Sequence, residues 1–107
     1  MARLNQVLEM IKQTPDDPFL HFALAQEYQR IDEQEKALEC FAWLIENKPN
    51  YTGTYYHYGK LLQQQGRTEQ ALDIYRRGIA VCQQQGARHD QLELQGALND
   101  LEDLLEE

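Results

Sequence analysis

The sequence is short of cysteine, has no long apolar run and carries no basic stripe, and each shortage excludes something. Its two cysteines, Cys40 and Cys82, form no C-x-x-C pair, so they read as free, mostly buried thiols and not as a disulfide or a zinc site. No apolar stretch approaches the ~20 residues needed to cross a bilayer, and the opening "MARLNQVLEMIKQ" lacks the apolar core and small-residue cleavage site of a signal peptide. No membrane association and a cytoplasmic location are therefore expected. Nucleic acid is a poor partner, because a phosphate backbone requires a cluster of cations that this chain does not have. A Gly-rich phosphate loop and a nucleophile elbow are also missing. His21, His57 and His89 are scattered, with His57 expected as a half-buried packing residue. The acid pairs Glu33/Glu35 and Asp100/Asp103 lie on polar faces, where solvated carboxylates make no general acid–base couple. The expectation is a protein that is not an enzyme, with no cofactor, no metal site and no catalytic residue.

What is present fits one small soluble domain. The chain has 107 residues, 42% of them hydrophobic and 26% charged, enough for a modest core and too few for two domains. The net charge of −8 is unevenly placed: 11 acids face 10 bases up to Arg88, whereas residues 89–107 hold seven acids and no Lys or Arg. That acidic block reads most simply as a solvated helix face that aids solubility; the alternative is a dock for a basic peptide.

A pattern returns every 34 residues. "ALECFAW" at 37–43 is followed by "ALDIYRR" at 71–77. Between 18–51 and 52–85 small residues stay small (Ala25 and Gly59, Ala37 and Ala71) and aromatics stay aromatic (Phe22 and Tyr56, Phe41 and Tyr75). The register extends backwards through Leu4, Leu38 and Leu72, and through Ile11, Ile45 and Ile79. Each half of the unit has apolar residues at helical spacing, as in Leu20, Ala23, Leu24 and Tyr28 or Ala37, Leu38, Phe41, Leu44 and Ile45. Asp17 before Pro18 is a start signal, and Thr52 and Thr68 are candidate caps for two later helices. Asp32 and Gly66 fall at the links, where a left-handed residue is needed, and Gly86 is a candidate C-cap. The small pairs mark helix crossings. A single hairpin cannot bury both its apolar faces, so hairpins must stack.

These residues resemble the tetratricopeptide repeat, a 34-residue helix–turn–helix unit: Leu24-Ala25-x-x-Tyr28, Ala37, Phe41 and Pro49, then Tyr58-Gly59-x-x-Leu62, Ala71 and Tyr75. His21 and Tyr55 replace the usual Trp, and Gln83 stands where the second closing Pro would be. The resemblance implies an all-α fold, a right-handed superhelical stack of antiparallel helix pairs with about six helices in a single domain. Its expected parts are a half-repeat helix at 3–14, repeats at 18–51 and 52–85, and an acidic amphipathic capping helix at 88–106. In that last helix Leu94, Ala97, Leu98, Leu101, Leu104 and Leu105 form one stripe.

The resemblance also implies a scaffold or adaptor that binds a peptide or partner segment in a concave groove. The groove positions correspond to Phe19, Phe22, Gln26, Gln29 and Arg30 in the first repeat, and to Gly53, Tyr56, Lys60, Gln63 and Gln64 in the second. Phe22 and Tyr56 have a second reading, as packing between neighbouring helices. In "YTGTYYHYGK", Tyr55 and Tyr58 fall on family core positions, which leaves Tyr51 and Tyr56 as candidate contacts. A carboxylate clamp of the chaperone-binding type is not expected, because Phe22, Gln26 and His57 occupy its positions. The alternative function is a self-associating assembly subunit, a homodimer through the apolar face of the first helix (Leu4, Val7, Leu8, Ile11).

Overall fold

The computed structural model describes residues 2–107, which form six helices and no strand. They are α1 (Ala2–Gln13), α2 (Pro18–Arg30), α3 (Gln34–Asn47), α4 (Gly53–Gln64), α5 (Thr68–Gln85) and α6 (Arg88–Glu106). The helices divide into two compact units, Met1–Lys48 with α1–α3 and Pro49–Glu107 with α4–α6.

In the first unit α2 begins where local chemistry places it. Asp17 accepts a hydrogen bond from the Phe19 N–H at 2.9 Å, and Pro18 occupies the first turn, where its missing N–H costs nothing. Such a cap is worth about 1 kcal/mol. The helix stops at Asp32, whose φ of 62° turns the chain, while the Glu33 N–H donates to the Tyr28 carbonyl at 2.8 Å. α3 then packs antiparallel against α2. Ala25 and Ala37 are wholly buried, as are Phe41 and Leu44: two small side chains let the backbones approach, and the larger ones fill the flanks. On the other side of α2, Leu4 and Val7 of α1 join Leu24, with Leu8, Ile11, Tyr28 and Ile31 packed around them.

The second unit repeats the hairpin and adds a helix. Gly66, at φ 75°, takes the role that Asp32 plays in the first link. Leu38 and Leu72, in equivalent register on α3 and α5, are both buried. α5 runs on to Gly86, a left-handed cap at φ 68°, where the Ala87 N–H donates to the Cys82 carbonyl at 2.9 Å. Gly78 lets three helices converge. A Cβ there would lie 2.5 Å from Tyr55 Cβ and 2.8 Å from Leu94 Cδ1. Tyr55 is buried at this crossing, and its hydroxyl donates to the Pro49 carbonyl at 2.6 Å.

Three expectations are corrected. Thr52 precedes α4 but makes no capping bond, and Thr68 lies inside α5, with Arg67 at the cap position. Tyr58 is half-buried, beside Leu62, Asp73 and Arg77, and not a closed core residue. The apolar stripe of α6 is covered only in part: Leu94, Ala97, Leu98 and Leu101 are buried, whereas Leu104 and Leu105 are 58% and 55% exposed. Over those last turns α6 still runs beside Leu72 and Arg76 of α5, but the two outer leucines are left uncovered.

Candidate partner-binding surfaces

On α2 the candidate residues follow a 3–4 spacing and so share one face. Phe19 is 56% exposed, a large apolar ring in water. Phe22 is half-buried and meets Phe41 edge-on, with centroids 6.2 Å apart, so part of its surface is spent on packing. Gln26 is exposed and Gln29 half-buried. Arg30 is committed within its own helix: its guanidinium donates to Glu27 at 3.0 Å and 3.3 Å. Glu27 is itself only 5% exposed and also faces Arg3 of α1 at 3.6 Å. Hydrogen bonds from Arg30 come first among the causes that hold the Glu27 carboxyl below its ordinary value, and burial opposes them. Arg30 is therefore a structural clasp as much as a surface cation, and sequence spacing alone did not reveal that.

On α4 the half-buried Tyr56 is the centre of a small cluster. The Lys60 ammonium lies 5.7 Å from its ring centroid, within cation–π reach, and His57 meets it edge-on at 5.5 Å. Gln64 is exposed. Gln63 instead accepts a hydrogen bond from the Tyr75 hydroxyl at 3.0 Å, which orients its amide toward the core. Gly53 lies beside the ring of Tyr51, which a Cβ at 53 would meet at 3.9 Å. Burial pushes the His57 imidazole below its ordinary value, opposed by the charges of Glu93 and Asp90 on α6. That agrees with a packing role.

Two groupings were not foreseen. In the first hairpin, Trp43 stacks on His21 with centroids 3.7 Å apart, and His21 Nε2 lies 2.6 Å from the Pro15 carbonyl oxygen. At the start of α6, ligand atoms of His89, Asp90 and Glu93 lie within 4.8 Å of one another, so the histidines are not all isolated. The i, i+4 spacing of His89 and Glu93 was the available signal. These are the residues that would hold a divalent cation, but the positive end of the helix dipole and Arg88 both disfavour one there. Asp90 also has a structural duty, accepting from the Thr52 hydroxyl at 2.5 Å.

No described helix is long and apolar enough to cross a membrane. A tetratricopeptide repeat model matches residues 52–85. A tetratricopeptide repeat domain protein from Salinibacter ruber is 46% identical, over 84% of this chain and 91% of that one, with a TM-score of 0.81. A protein from Bordetella parapertussis is 30% identical over 99% of this chain and 94% of its own, also at 0.81. The TPR2B domain of yeast Sti1, solved in complex with pHsp70, has the same fold at 16% identity, with a TM-score of 0.85 over 94% of this chain and 81% of that one. No curated protein matches the chain.

Proposed function

Because the chain belongs to the tetratricopeptide repeat family, we propose that it is a non-catalytic protein-interaction module that takes a peptide or partner segment on the first helix of each hairpin. The observation that carries this reading is the Tyr56–Lys60 pair on α4, a half-buried ring with an ammonium held 5.7 Å from its centroid. An aromatic platform with an adjacent cation suits a partner's apolar side chain next to a carboxylate or backbone carbonyl. Phe19, Phe22 and Gln26 on α2 offer the matching chemistry, with rings for packing and an amide for a partner's backbone. A protein partner is in keeping with the Sti1 domain, which was solved with pHsp70. Arg30 and Gln63, committed to Glu27 and Tyr75, are secondary contributors.

Affinity capture by the full chain, with a Tyr56→Ala/Lys60→Ala variant as control, tests the assignment. The variant should lose the captured partner while keeping its far-UV circular dichroism. Retention of the same partner by a folded variant would remove α4 from the binding surface.

A second reading, self-association through α1, is favoured by Met10, which is 52% exposed beside the half-buried Leu8 and Ile11. Sedimentation over a range of concentrations separates the two. A strict monomer rejects the second reading.

A further inference from the structure

The last turns of α6 carry a feature that neither packing nor the α2 and α4 surfaces use. A hollow of about 520 Å³ opens between α5 and α6, with Leu72 at its floor and Leu105 at its side. Its rim is Glu102, Asp103 and Glu106, with Arg76 opposite. Arg76 reaches across to Glu102 at 3.2 Å and neutralises one of the three carboxylates. The other two have no such partner among the described residues, and Leu104 and Leu105 stand beside them more than half exposed. Adjacent exposed leucines cost free energy in water, and Glu106 stands three and four positions from Asp103 and Glu102, spacings at which like charges repel on a helix. Neither arrangement helps this helix fold. Both favour one kind of visitor, whose apolar side chain covers the leucines and whose cations relieve the carboxylates.

We infer that the α5–α6 hollow is a second docking surface, for a basic amphipathic helix that inserts an apolar side chain over Leu72 and Leu105 and sets Lys or Arg against Asp103 and Glu106. Charge complementarity fixes the occupant. Residues 89–107 hold seven acids and no Lys or Arg, in a chain of net charge −8, so a second copy would bring mainly like charge to this rim, whereas a cationic segment is drawn to it.

The probe is a synthetic amphipathic helix of leucine and lysine, fluorescently labelled and titrated with the full chain. Saturable binding is expected. Leu105→Ser should weaken it about tenfold, and Asp103→Asn/Glu106→Gln should weaken it similarly and flatten its salt dependence. A probe with serine in place of leucine should not bind. All three positions are exposed, so circular dichroism and melting of the variants should follow the wild type. Equal binding of wild type and variants, or equal binding of the serine probe, would reduce the attraction to diffuse charge and overturn the proposal. So would self-association of the chain that Leu105→Ser abolishes, since a second copy would then be the occupant. Tyr56 and Lys60 lie outside the hollow, so their variant should bind this probe normally.

Discussion

The ring of Tyr75 occupies the space that a side chain at Gly59 would need. A Cβ on Gly59 would lie 2.6 Å from Tyr75 Cδ1 and closer still to Cε1. The ring cannot easily swing away, because its hydroxyl is held by Gln63 at 3.0 Å. In Gly59→Ala the gain in helix propensity, about 1 kcal/mol, is outweighed by overpacking against a rigid ring, and a net loss of about 1–2 kcal/mol is expected. The matched control is Gly96→Ala on α6, where nothing lies within 4 Å of the new methyl group; stability should rise there by about 0.5–1 kcal/mol. Urea denaturation of both variants reads the result. Like signs for the two would mean that the α4–α5 crossing does not depend on close approach at Gly59.

Glu27 should make stability fall in acid. Its folded-state carboxyl is held below the ordinary value of 4.5, first by hydrogen bonds from Arg30. A carboxyl depressed on folding contributes stability above its unfolded value, and that contribution is lost as pH falls through the depressed one. Thermal melts stepped downward from pH 5 should decline less steeply in Glu27→Gln than in the wild type. Parallel curves would show that the Arg3–Glu27–Arg30 cluster contributes nothing to acid sensitivity.

Cys40 should be a slow nucleophile although it is only half-buried. Burial first, and then the charge of Glu39, push its thiol from 9.0 up to about 11. Near pH 8 the thiolate fraction is then about 100-fold smaller than for an ordinary cysteine; the greater nucleophilicity of a more basic thiolate offsets part of this, and alkylation should slow about tenfold. Cys82, fully buried, should be slower still. Mass spectrometry of iodoacetamide-treated native chain, with a urea-unfolded sample for reference, measures both. Native labelling of Cys40 at nearly the unfolded rate would contradict this.

Much of the architecture could be read in the sequence because it depends on neighbours along the chain. Asp17 before Pro18 started a helix, and Asp32, Gly66 and Gly86 took the left-handed conformation, since a short polar side chain or none at all settles that locally. The 34-residue return of Ala, Leu and an aromatic paired α2 with α3 and α4 with α5, because helical spacing decides which side chains share a face. What a face meets is a different matter. The sequence did not show that Arg30 closes on Glu27, that Gln63 turns inward to Tyr75, that Thr52 bonds to Asp90 across 38 positions, or that the stripe of α6 continues past its cover at Leu104 and Leu105. Those outcomes were decided by tertiary packing, which brings distant residues within hydrogen-bonding range and leaves part of an apolar stripe uncovered. Periodicity records neither.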